Sequence, residues 1–224
     1  MKNKPIVAVC LFGDDLPQWM VDCWLQAWEA SGNTNEVVGL THPASPPACD
    51  WPFPLVNVAH SALPEALGTP GASDAIKAQG YATLGRCIVI DVDALVIGSL
   101  GEMDTLDTPL AMVRDKGAIL RGWSQVAMEM NAGFSLQDDA RIWSLYQRFW
   151  NEYLSKYPQR QCYGQFIFGR VLQELGGDEL PRKWNNMGIV KDSDTRVLHF
   201  FGGHKLQMPG VLRQILKQRE VLCG

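Results

Sequence analysis

The chain has 224 residues, 46% hydrophobic and 20% charged, with a formal net charge of −4. That is enough apolar material for one well-buried domain without disulfide support. No segment is densely basic, which argues against a broad electrostatic grip on a polyanion such as nucleic acid.

Residues 6–11, Ile-Val-Ala-Val-Cys-Leu, form a continuous apolar run ended by Gly13. A run with no polar face suits a central parallel strand. It is too short to span a membrane, and no small-residue cleavage site follows it, so the expected location is cytoplasmic. Asp14, Asp15 and Pro17 open a helix that carries Met20, Cys23, Trp24 and Ala27 on one face and stops at Gly32-Asn33. A second strand is expected over 36–40. Residues 41–73 are rich in Pro, Ala, Ser and Gly and read as an irregular excursion, with a short strand around 55–58. The α/β pattern resumes directly afterwards, so a single domain over 1–224 is expected.

Ser73 is placed to cap a helix over 74–84. The strand 87–90 (Cys-Ile-Val-Ile) then runs into Asp91-Val92-Asp93. Residues 110–113 form a further strand, ended by Arg114-Asp115, and Asn131-Ala132-Gly133 leads into Phe134-Ser135-Leu136. The clearest helix spans 139–156, where Ile142, Leu145, Tyr146, Phe149, Trp150, Tyr153 and Leu154 follow helical spacing. Another helix covers 165–175 and ends at Gly176-Gly177, and a last strand, 196–200, runs into Gly202-Gly203. The tail, 206–224, holds a short basic amphipathic helix over 211–219. It packs on the surface, with contact to a membrane or a polyanionic acceptor as the alternatives. The six cysteines form no C-x-x-C pair and several lie in apolar runs, as buried thiols in a reducing compartment do.

Two acids directly after a buried strand are costly unless the strand end opens into a polar site. On an extended chain, residues i and i+2 project to the same side, so Asp91 and Asp93 can converge there. Open α/β sheets bind ligands at the carboxyl ends of their strands. Two close carboxylates repel, and a divalent cation relieves that repulsion. The alternative is a turn whose acids cap backbone N–H groups. Downstream, His199 stands at a strand end, followed by Gly202, Gly203 and Lys205. Imidazole completes a mixed oxygen and nitrogen donor set suited to Mn²⁺-like ions. The glycines let backbone N–H groups approach a diphosphate, and Lys205 adds positive charge. A buried core histidine is the alternative for His199. A shared site requires the strand ending at His199 to return beside the one ending at Asp91.

With these motifs in place, the sequence resembles the retaining GT-A glycosyltransferases that include glycogenin and the bacterial lipopolysaccharide galactosyltransferases. The matching residues are Asp91 and Asp93, Asn131-Ala132-Gly133, and His199-Phe200 with Gly202 and Lys205, in family order from Ile6 to Lys205. The resemblance implies an α/β fold: a GT-A-like mixed sheet with a Rossmann-like nucleotide-binding half, flanked by helices. It also implies transfer of a hexose-type sugar from a nucleotide-sugar donor, UDP by analogy, with Mn²⁺ or Mg²⁺ as cofactor.

By the same resemblance Asp91, Asp93 and His199 would be metal ligands, and Asp91 could also touch the ribose. Gly202 and Lys205 would hold the diphosphate. Asn131, Ala132 and Gly133 would line the sugar pocket, while Val9 and Lys77 would lie near the donor. Gln165 would face the reacting sugar, completing a catalytic group of Asp91, Asp93 and Gln165. The family's Asp-Gln pair stands here as Gly164-Gln165, and Lys205 is followed by Leu206-Gln207 instead of Pro-Trp. The acceptor stays open among glycan, lipid-linked glycan, protein and modified nucleobase.

Ile90-Asp91-Val92-Asp93 also fits the start of a haloacid-dehalogenase-type phosphatase, with Asp91 as nucleophile. That fold begins with the motif, whereas here a strand, helix and strand precede it. A non-catalytic nucleotide-sugar or carbohydrate binder is the third alternative, to which the eight tryptophans would lend stacking surfaces.

Overall fold

The structure, a computed structural model, describes residues 3–12, 16–58, 72–115, 130–156, 164–187 and 194–223. Its first strand, β1 (Ile6–Cys10), lies parallel to β2 (Val37–Thr41) on one side and to β4 (Cys87–Asp91) on the other. The short β3 (Leu55–Asn57), where a strand around 55–58 is expected, extends the parallel half beyond β2. Beyond β4 the sheet turns mixed. The strand β7 (Met130–Gln137) runs antiparallel to both β4 and β6 (Leu110–Arg114), and β8 (Asp178–Leu180) closes that edge parallel to β6. The seven strands follow the order β3-β2-β1-β4-β7-β6-β8. A parallel half joined to one with antiparallel pairing is the mixed α/β arrangement expected.

Side-chain alternation divides the parallel strands between two faces. Val7, Val9, Ile88 and Ile90 join the largest core cluster, together with Met20, Cys23, Trp24 and Trp28 of α1 (Gln18–Ser31). Ala8, Cys10, Val38, Leu40, Cys87 and Val89 face the other way, onto Ile76. Each large aliphatic side chain so buried contributes about 1.5–3 kcal/mol. Gly32 ends α1 at φ 68, a left-handed conformation that favours glycine, and its N–H donates to the Glu29 carbonyl. Cys10, Cys23 and Cys87 are buried free thiols and Cys49 is a half-buried one; burial pushes Cys10 up to about 12. Asp14, Asp15 and Cys162 lie outside the described residues.

Over 74–84 the structure corrects the sequence. Two short helices replace one: α2 (Ala72–Lys77) and α3 (Gly80–Leu84), with Ser73 inside the first turn of α2 and not ahead of it. The break follows from packing. A Cβ on Gly80 would lie 2.6 Å from Val89 Cγ2 and 2.9 Å from Gln137 Oε1, so the backbone there is pressed directly onto the sheet. Gln137 adds to this junction by donating to the Lys77 carbonyl at 2.8 Å and accepting from the Tyr81 N–H at 3.1 Å.

After the short α4 (Gly101–Thr105), the helices α5 (Arg141–Lys156) and α6 (Gly164–Leu175) pack together over β6 and β7. Ile142, Tyr146, Phe149 and Trp150 of α5 interlock there with Ile167, Phe168 and Val171 of α6. A second, three-stranded sheet has the order β5-β10-β9, where β5 is Ala94–Val96, β9 is Asn186–Met187 and β10 is Val197–His199. The C-terminal helix α7 (Met208–Cys223) packs against α1, and the Arg219 guanidinium donates to the Ala30 and Ile97 carbonyls. The basic tail thus contains a helix docked on the protein. Among the described residues, no helix is long and apolar enough to cross a membrane.

Candidate active site

The carboxyl end of β4 meets the second sheet, and that junction builds the site. The strand β4 stops at Asp91, Val92 and Asp93 form a turn, and β5 leaves for the other sheet. Asp91 and Asp93 are therefore brought together by a turn, not by the extended i, i+2 geometry expected from sequence. The return of His199 also differs from expectation. The strand β10 does not lie beside β4; it pairs antiparallel with β5, His199 opposite Ala94, and the Phe200 N–H donates to the Asp93 carbonyl at 2.9 Å. This pairing places His199 Nε2 3.2 Å from Asp93 Oδ1 and 3.9 Å from Asp91 Oδ2. One ligand atom from each of Asp91, Asp93 and His199 lies within 4.8 Å of the others.

Two oxygens and one nitrogen at that spacing fit a divalent ion of the Mn²⁺ or Mg²⁺ type. Each carboxylate also has its own ammonium partner. Lys77 Nζ lies 2.7 Å from Asp91 Oδ1 and 2.8 Å from Oδ2, and Lys205 Nζ lies 2.9 Å from Asp93 Oδ2. Burial acts to raise the Asp93 pKa, but the bonds from His199 and Lys205 outweigh it and bring Asp93 down to about 2. Burial would likewise depress Lys77, only 4% exposed, but the Asp91 and Asp74 carboxylates beside it hold its pKa above the usual lysine range. Lys77 is thus an integral part of the acidic cluster and not a solvated helix lysine.

The Asn131-Ala132-Gly133 segment lies wholly inside β7 and is buried. Its register against β6 jumps, with Met112 opposite Ser135 but Val113 opposite Asn131, so residues 132–134 bulge from the ladder. Bulges commonly re-aim strands beside active sites. Here the bulge seats the histidine. A Cβ on Gly133 would lie 2.4 Å from His199 Cε1 and 2.5 Å from Nδ1, so only glycine admits the ring. Asn131 Oδ1 accepts the Gly133 N–H at 2.8 Å and the Asn185 side-chain amide at 2.6 Å, which fixes the bulge. Ala132 points into the core beneath α5 and α6.

Gly202, at φ 55, begins the 3₁₀ turn Gly202–Gln207 that carries Lys205 back to Asp93. Val9 is 0% exposed, one residue short of the end of β1, and its side chain belongs to the core. Gln165 stands in the first turn of α6, half-buried. At Gly164, where the resemblance expects an acid, the side-chain volume is filled by Asp74: a Cβ on Gly164 would lie 2.3 Å from Asp74 Cβ. Sequence reasoning missed both Asp74 and Asn185. Asp74 stands one helical turn before Lys77, a spacing that suggests an ion pair but not its burial, and Asn185 had no distinguishing signal.

Over 93% of this chain and 95% of its own, the galactosyltransferase LgtC, solved with donor and acceptor sugar analogs, superposes with a TM-score of 0.61 at 13% identity. This is a GT-A fold. The glycosyltransferase GlyE of Streptococcus pneumoniae TIGR4 shares it over 97% of the chain, with a TM-score of 0.60 and 13% identity. The chain spans 64% of the length of GlyE. No protein-family model matches the sequence. A comparison with curated proteins finds no match. Within the GT-A fold, the acid-histidine cluster lies at the carboxyl ends of the parallel strands, the usual ligand crevice of open α/β sheets.

Proposed function

We propose that the chain, as a single domain over 1–224, transfers a hexose-type sugar from a nucleotide donor, UDP by analogy, to an acceptor. The observation that carries this is the convergence of Asp91, Asp93 and His199 within 4.8 Å, on a GT-A fold. Asp91, Asp93 and His199 would hold Mn²⁺ or Mg²⁺, which when bound stabilises charge on a departing nucleoside diphosphate.

The chain's own groups supply the rest. Lys205, on the turn opened by Gly202, adds a fixed positive charge where diphosphate oxygens would gather. Lys77 orients Asp91 and offsets its repulsion with Asp93. Gly133 and Asn131 fix the plane of the His199 ring. Gln165 is the group on α6 that would face the reacting sugar. Front-face attack by the acceptor, as the resemblance implies, asks for no enzymic nucleophile. The acceptor class is a glycan, a lipid-linked glycan, a protein or a modified nucleobase.

The phosphatase alternative loses support because the Asp91-Val92-Asp93 turn feeds a strand paired with the histidine strand. The binder alternative loses support because five of the seven described tryptophans are buried and the other two half-buried. Asp93→Ala tests the proposal. Mn²⁺-dependent release of UDP from UDP-glucose or UDP-galactose should be abolished while the far-UV circular dichroism stays that of the parent. Parent-level turnover in the variant would remove Asp93 from the site.

A further inference from the structure

Asp74 belongs to none of the groups assigned above, yet it is a carboxylate only 7% exposed, in the first turn of α2. Its Oδ1 lies 3.2 Å from Lys77 Nζ, and the backbone N–H of Gln165 donates to the same carboxylate. Its other oxygen, Oδ2, lies 2.6 Å from where a Cβ on Gly164 would stand. The first turn of any helix leaves backbone N–H groups without intrahelical partners, and an acidic side chain just ahead of the helix normally accepts one of them. Gly164, the first residue of α6, has no side chain to set against its opening turn. Asp74 takes that role from a different helix, in the volume a side chain at 164 would fill.

The consequence reaches the metal ligands. Asp74 holds Gln165 at one end and Lys77 at the other, and Lys77 contacts both oxygens of Asp91. One unbroken series of charge-assisted bonds therefore joins the start of α6 to the end of β4, two elements that share no backbone pairing. A buried ion pair is weak evidence for stability, because apolar residues of similar volume hold a core at least as well. What an ionic link adds is a fixed relative position.

We propose that Asp74 is a positioning residue that locks the first turn of α6, and with it Gln165, against the Lys77–Asp91 pair. What Gln165 and Asp91 then do rests on the transferase proposal above; the link itself does not.

The test uses the full chain with two readouts: amide hydrogen exchange over the first turn of α6, and kcat and KM for Mn²⁺-dependent hydrolysis of UDP-glucose or UDP-galactose. Asp74→Ala should speed exchange there by about 3- to 30-fold, the range expected for a lost cap. It should lower kcat by about tenfold or more and leave KM within about threefold, as misplacement of a reacting group does. Asp74→Asn retains an oxygen that can accept the Gln165 N–H, so its exchange should stay near the parent's while kcat falls.

The decisive variant moves the acid. In a Tyr146→Phe background, chosen because the Tyr146 hydroxyl also lies 2.6 Å from a Cβ at 164, Gly164→Asp should be harmful alone and restorative when combined with Asp74→Ala. Unchanged exchange in Asp74→Ala, raised exchange with unchanged kcat, or a Gly164→Asp equally harmful in both backgrounds would each overturn the proposal. If the parent itself turns over no donor, the transferase proposal fails, and exchange together with the thermal midpoint of the swapped variant still decides the link.

Discussion

Adding one methyl group at Gly133 probes how tightly the histidine is held. The new Cβ would lie 2.4 Å from His199 Cε1 and 2.5 Å from Nδ1, whereas non-bonded carbons settle near about 3.5 Å. The ring or the strand must therefore shift by about 1 Å. The strand has limited freedom, because Asn131 Oδ1 holds the Gly133 N–H and the next residue, Phe134, is paired with Ile90 of β4. The ring moves instead, out of the position in which its Nε2 stands 3.2 Å from Asp93 Oδ1. Loss of a support to a metal ligand costs about 10- to 100-fold in metal affinity, and overpacking costs about 1–3 kcal/mol in stability. Mn²⁺ binding to Gly133→Ala, followed by electron paramagnetic resonance or calorimetry, should weaken by that factor. Gly210→Ala serves as the control. It has nothing within 4 Å of the added carbon and lies in α7, so it should leave Mn²⁺ affinity alone and raise stability by up to about 1 kcal/mol. Parent-level Mn²⁺ affinity in Gly133→Ala would refute both the seating of His199 by Gly133 and its role as a ligand.

Two further substitutions act on the paired ammonium groups. Lys77→Met leaves Asp74 and Asp91 without their buried partner and should destabilise the chain by roughly 3–5 kcal/mol, read by thermal or denaturant unfolding. Added Mn²⁺ should restore more of that loss than it adds to the parent; equal shifts in both proteins would separate Lys77 from the cation site. Lys205→Ala removes one charge-assisted contact and should weaken UDP binding by about 10- to 100-fold in calorimetry while changing uridine binding far less. Equal loss for UDP and uridine would place Lys205 away from the diphosphate.

The elements legible in the sequence were those with strong local signals. The apolar run at 6–11, the glycine stop at Gly32 and the helical stripe from Ile142 to Trp150 correspond to β1, the end of α1 and α5. The break between α2 and α3 was not legible, because it depends on contact between Gly80 and two residues of other strands, Val89 and Gln137. The same holds for the site. Asp91, Asp93 and His199 could be singled out from their places beside apolar runs. The pairing of β10 with β5, which brings them together, depends on a second sheet that no single segment announces. Gly133 belonged to a recognisable motif, but its physical task, making room for an imidazole, appears only once His199 is set against it. Asp74 was hidden for a related reason: an acid in the opening turn of a helix usually faces solvent and the helix dipole, and only Gly164 on another helix reveals what it supports.

The most direct measurement of the central claim is metal-dependent hydrolysis of a panel of nucleotide-sugars by the purified protein. The site described here predicts release of the nucleoside diphosphate from at least one donor, foremost a UDP-hexose, in Mn²⁺ or Mg²⁺, with loss of that release in a chelator. It also predicts loss in Asp93→Ala. Turnover that persists undiminished in the chelator, or no turnover of any donor across the panel with either metal, would contradict it.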